Sequence, residues 1–103
     1  MTDLERLINE TGNTAAAEAL MRAIPARMHG GIVRYMLSGV VPGSFLRAVF
    51  ENDLMGAAGK ADAENMLLLH VYARFIYNHM PTPSWGSPEK VKAWAKSGGM
   101  LGG

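Results

Sequence analysis

The chain has 103 residues, with ten Lys plus Arg against nine Asp plus Glu, a formal net charge of +1 and no cysteine. That length fits one domain able to bury roughly two-thirds of the surface its unfolded chain exposes. The near-neutral charge gives no electrostatic drive toward nucleic acid or an anionic membrane. The absence of thiols excludes disulfides, zinc–thiolate sites and cysteine nucleophiles.

The first segment, "MTDLERLINETG", opens with a capping box: Thr2 caps and Glu5 follows three residues later. Leu4, Leu7 and Ile8 share one face, and Gly12 stops or kinks the helix. No apolar stretch follows Asp3, Glu5 and Arg6, so no secretory signal is read and a cytoplasmic protein is expected. A second helix starts at Asn13 or Thr14, turns Ala17, Leu20, Met21 and Ile24 to one side, and ends at Pro25. A third covers "PARMHGGIVRYMLSG", with Met28, Ile32, Tyr35 and Met36 in one stripe and Gly39 as its stop. Gly30 and Gly31 are costly inside a helix, so either the helix begins after them or another element packs close there. "GIVRYML" is the nearest approach to a strand.

After the Pro42–Gly43 turn, Ser44 is placed to cap a helix whose apolar face is Phe45, Leu46, Val49 and Phe50, with Leu54 possible on it. This segment bends or ends between Asn52 and Gly59. Asp62 then caps the longest pattern, a helix over about 62–79. On a helical wheel its apolar residues, from Met66 to Ile76, fill an arc of roughly 200–220°, wider than one packing partner covers. His70, Arg74 and Asn78 form a polar stripe at i, i+4 and i+8, with Leu67 inside it and Tyr77 at its margin. The expectation is a helix sandwiched between its own domain and other helices or a second subunit, its polar stripe bordering a cleft. "MPTPSWGSPEK" is a loop leading through Ser87–Pro88–Glu89 into a last helix with Val91 and Trp94 inward. "SGGMLGG" reads as a frayed tail. The fold expected is all-α: a compact bundle of about five or six short helices around the long helix 62–79, as a single domain over 1–97 with a flexible tail at 98–103.

Most chemistries find no footing. His29, His70 and His79 lack the i, i+4 spacing of a helical metal site, so no metal and no cofactor is expected. No GxSxG elbow is present, and Glu51 and Asp53 are too close in sequence to share a helix face. "GAAGKAD" lacks Walker spacing. No enzymatic activity is expected. A helix-turn-helix around 31–52 is the alternative reading, a DNA-binding regulator, but its second helix offers Arg47 against Glu51 and Asp53, which disfavours nucleic acid. A structural or interaction subunit is the other alternative. Eight methionines and a charged fraction of only 18 % suit either a loosely filled core or an adaptable binding surface. Arg34, Arg47 and Arg74, from three different helices, would clamp an anionic ligand if they converged, with His70, Tyr77 and Trp85 adding stacking or hydrogen bonds.

"SGVVPGSFLRAVFENDL", "GKADAEN" and "YNHMPTPSWGSPEKVKAW" carry a composite pattern: Pro42, Gly43, Phe45, Leu46, Ala48 and Val49, then Asn52, Asp53 and Leu54, then Ala61, Asp62 and Asn65, then Tyr77 and Asn78, then Trp85 to Glu89. It resembles a family of small helical proteins encoded by phages and prophages, for which no activity is established, over about two-thirds of the chain, from Ile24 to Trp94. The first twenty-odd residues lie outside it. The resemblance implies expression in the cytoplasm of a bacterial host cell and a stoichiometric, counter-defence role: sequestering a small nucleotide signal or masking a host defence protein, as a homo-oligomer. Asn52, Asp53, Asn65 and Asn78 are positions of the pattern whose role the sequence leaves open.

Overall fold

The capping box closes as the sequence requires. In the computed structural model, which describes residues 2–102, the Thr2 side chain accepts from the Glu5 N–H while the Glu5 carboxylate accepts from the Thr2 N–H. This starts α1 (Asp3–Thr11), which Gly12 ends in a left-handed turn. Asn13 accepts from the Ala16 N–H and begins α2 (Thr14–Ala23), and Ile24, extended before Pro25, ends it. The remaining elements are α3 (Ala26–Ser38), α4 (Ser44–Phe50), α5 (Leu54–Lys60), α6 (Ala63–Leu67), α7 (Leu69–His79), a single 3-10 turn (Thr82–Ser84) and α8 (Pro88–Ser97). The fold is all-α, with no strand among the described residues, and none of their helices is long and apolar enough to cross a membrane. The radius of gyration, 12.5 Å, is that of one folded unit of this length.

The centre of the bundle is α3 rather than the expected long helix. His29, Ile32, Val33, Tyr35, Met36 and Leu37 are all buried on it, so it is covered on more than one side. Gly30 and Gly31 lie inside it. Gly31 lets Leu46 and Pro42 come close, and Gly30 leaves room for the Arg34 guanidinium to fold back beside the Asp3 carboxylate. Close approach is therefore the reason the helix carries two glycines.

The segment 62–79 is broken at Leu68 (φ −110°, ψ 9°), giving α6 and α7 in place of one rod. Neither Gly nor Pro marks the break, and side-chain contacts flank it. Arg27 of α3 reaches both Asp62 (2.9 Å) and Glu64 (2.7 Å), and buried Asn65 accepts from the Tyr72 hydroxyl at 2.6 Å across the break. A continuous wheel therefore overstates the apolar arc: of its members Tyr72, Phe75 and Ile76 are buried, whereas Met66 is 44 % exposed and Ala73 is exposed as well; Leu67, on the polar stripe, faces solvent as the wheel places it.

Two smaller differences concern ends. Gly43 is the residue before α4, and Ser44 is already inside that helix. Residues 98–102, read as a frayed tail, are hydrogen-bonded to the end of α3: the Met100 N–H donates to the Met36 carbonyl (3.0 Å) and the Leu101 N–H to that of Leu37 (2.9 Å). These are carbonyls that a helix end leaves without intrahelical partners. Trp94 of α8 adds an indole N–H to the Tyr35 carbonyl at 2.8 Å.

Candidate functional site

A cleft forms where the α4–α5 hairpin meets α7. The hairpin turn depends on two adjacent residues. Asn52 adopts the left-handed conformation (φ 62°), which Asn tolerates better than most residues, and Asp53 accepts from the Gly56 N–H to begin α5. Both pattern positions are thus explained by architecture, as is Asn65. The third wall is Trp85, held by a chain of long-range contacts. Tyr35, stacked on Phe50 at 4.6 Å, donates its hydroxyl to the Ser84 carbonyl; Ser84 donates to the Pro81 carbonyl; and the Gly86 N–H donates to the Phe50 carbonyl at 2.8 Å. Burial pushes the Tyr35 hydroxyl's pKa upward, so it stays a donor.

The resulting cavity is about 250 Å³. Val49, Leu54, Ala57, Leu69, Ala73 and Ile76 give it apolar walls, with Asn52, Asp53, Tyr77 and Trp85 completing the lining. Leu54 and Tyr77 stand at 66 % and 76 % exposure, large apolar and aromatic surface left to solvent. The Tyr77 and Trp85 rings lie 6.3 Å apart. Trp85 Nε1 is buried with no hydrogen-bond partner among the described residues, in a fold that pairs the other indole with a carbonyl. An unpaired buried N–H costs about 1–3 kcal/mol, which makes it a notable exception.

The expected arginine clamp does not assemble. Arg34 folds over Gly30 beside Asp3, Arg47 pairs with Glu51 at 3.3 Å, and Arg74 lies on α7. None of the described cavities is lined by more than one of the three. The polar stripe of α7 does border a cleft: His70, Arg74 and Asn78, with His79, line a second and shallower groove against α2. Tyr77 and Trp85 share the first cleft with Asn52 and Asp53.

His29, weighed from the sequence only as a metal ligand, is a buried structural group. Its Nε2 lies 2.8 Å from the Leu20 carbonyl and 2.7 Å from that of Ile24, so that nitrogen carries a proton and donates to the end of α2. Its position four residues after Pro25, where a helix has just ended, was the signal in the sequence. Arg27 was also missed; it ties α3 to α6, and its carboxylate partner Asp62 sits below the usual carboxylate range, chiefly because it accepts the Asn65 N–H and then because Arg27 is near. Among the described residues no group of three or more His, Asp or Glu side chains is placed to hold a metal ion.

Compared with protein-family models, with curated proteins and with solved structures, the chain gives no significant match.

Proposed function

We propose that this protein is a stoichiometric binding protein that masks another protein, seating an apolar anchor of its partner in the cleft between the α4–α5 hairpin, α7 and Trp85. The observation that carries the reading is the cleft itself: an apolar cavity rimmed by exposed Leu54 and Tyr77, with an unpaired indole N–H in its wall. Apolar pockets with aromatic rims are where interfaces concentrate their binding energy. Asp53 is the one carboxylate of the described residues that lines the cavity, so the complementary partner carries a Leu- or Phe-type anchor flanked by Lys or Arg. The dispersal of Arg34, Arg47 and Arg74 favours this protein-masking reading over sequestration of a nucleotide within the cleft. The pairing of Arg47 with Glu51, on an α4 of only seven residues, gives no support to the DNA-binding alternative. The resemblance to phage-encoded proteins supports a host defence protein as the partner.

The test is a photo-crosslinker at position 77 in bacterial cells, followed by reconstitution with the purified crosslinked partner. Ala73→Arg, at an exposed position lining the cavity, is expected to weaken the complex at least about tenfold, the loss of one well-packed contact, while leaving the melting temperature unchanged. Equal affinity of Ala73→Arg and the parent would refute the reading. Crosslinking only to a second copy would replace the foreign partner by self-association.

A further inference from the structure

The groove between α2 and α7 is chemically unlike the cleft. Its polar lining consists of Arg74, His70, Asn78 and His79, every one able to donate hydrogen bonds, and no carboxylate of the described residues lines it. Glu18 and Arg22, the charged residues of α2, are exposed and are not part of the lining. Arg27 and Arg47 are each occupied by carboxylates, whereas Arg74 has neither an ion pair nor a hydrogen bond among the described residues.

The arrangement also has direction. His70, Arg74 and Asn78 stand one turn apart on α7, a column of donors roughly 12 Å long at 1.5 Å per residue. On the opposite side α2 presents Ala19 and Ala23, whose small side chains leave about 350 Å³ open above the column. Val71 and Phe75 add the larger apolar side chains of the lining, and the His79 ring lies 5.3 Å from the Phe75 ring. A planar guanidinium flanked by neutral or cationic donors matches the oxygens of a phosphate better than a lone carboxylate, because the fork can engage two oxygens while its neighbours on the helix reach the others.

We propose that this groove binds the phosphate monoester of a small molecule, with Arg74 gripping the phosphate and His70 and Asn78 donating to it from the turns on either side. The organic part lies along Val71 and the Phe75–His79 ring pair. This site is separate from the protein-binding cleft and does not depend on it.

The experiment is an NMR titration of the whole chain at low ionic strength with inorganic phosphate, ribose 5-phosphate and AMP, following the Arg74 Nε–H and the ring signals of His70 and His79. All three probes are expected to shift these signals with saturation below about 10 mM, the esters at least as tightly as phosphate. Arg74→Ala should weaken binding about tenfold or more, and Arg74→Lys by less, since it keeps the charge and loses the fork. Arg74 is exposed, so thermal melts of both variants should match the parent. No saturable shift, shifts away from α7, or equal binding by Arg74→Ala would each overturn the proposal. Binding of phosphate with exclusion of both esters would overturn the assignment of the ligand class.

Discussion

Gly39 and Gly99 meet backbone to backbone, both at positive φ (70° and 74°). A Cβ on Gly99 would lie 2.6 Å from the Gly39 nitrogen and 2.7 Å from that of Ser38. This contact lets residues 100 and 101 reach the carbonyls of Met36 and Leu37. Gly99→Ala is expected to destabilise the fold by at least about 2 kcal/mol, from the strained conformation together with a clash that only backbone movement can relieve. Urea unfolding should show a lower midpoint with an unchanged slope.

Gly59 is the opposite case. It lies within α5, exposed, and a Cβ there meets nothing within 4 Å. Gly59→Ala should stabilise the protein by about 0.4–1 kcal/mol, by restricting the unfolded chain and favouring the helix. The same urea titration checks it.

Asn65 and Tyr72 form a polar pair inside the bundle, at 3 % and 1 % exposure. Tyr72→Phe leaves the Asn65 carbonyl oxygen without its donor and should cost about 1–3 kcal/mol. In a double-mutant cycle with Asn65→Leu the two substitutions should fall short of additivity by at least about 0.5 kcal/mol.

Burial also pushes the Tyr72 hydroxyl up to about 12 from an ordinary 10. The folded state therefore holds this proton more tightly than the unfolded state. Its contribution to stability is complete below about pH 10 and is lost as pH rises toward 12. Circular dichroism between pH 9 and 12 should show alkaline unfolding that is less steep in Tyr72→Phe, with the remainder due to Tyr35, which burial shifts in the same direction.

The two tryptophans should respond differently to the same change. Trp94→Phe removes the N–H that pairs with the Tyr35 carbonyl, while Trp85→Phe removes an N–H that has no partner. The first variant is expected to lose about 1 kcal/mol more stability than the second, measured by thermal or chemical unfolding. Equal losses would mean that the indole of Trp85 is paired in solution.

Where structure follows from neighbouring residues, the sequence was legible. The Thr2–Glu5 box, the stop at Pro25, the cap at Ser87 and the stripe Ile32–Tyr35–Met36 all appear where local spacing puts them. The column His70–Arg74–Asn78 was readable because i, i+4 neighbours share a face whether or not the helix is continuous further back. The break at Leu68 was not readable, since neither Gly nor Pro marks it, and the contact that accompanies it from outside the segment, Arg27 with Asp62 and Glu64, comes from α3. Nor was the cleft: Trp85 joins Asn52, Asp53 and Tyr77 through long-range contacts, those of Tyr35 with Ser84 and of Phe50 with Gly86 among them. The three arginines illustrate the converse, a grouping by residue type that the packing disperses.

The position of α3 bears on how the chain finds this fold. Its early partners, α1 and α2, are adjacent in sequence, so the first three helices can collapse by closing short loops. The partners of its second half arrive from far downstream: Ser84 is 49 residues from Tyr35, and Trp94 is 59. Closing such loops costs entropy before any contact compensates, so an all-helical protein with this wiring refolds more slowly than an up-and-down bundle of the same length. If the return of α8 and the residues after it to the open end of α3 precedes the barrier's crest, substitutions at Trp94 or Gly99 slow folding; if it follows the crest, the same substitutions leave the folding rate unchanged and speed unfolding.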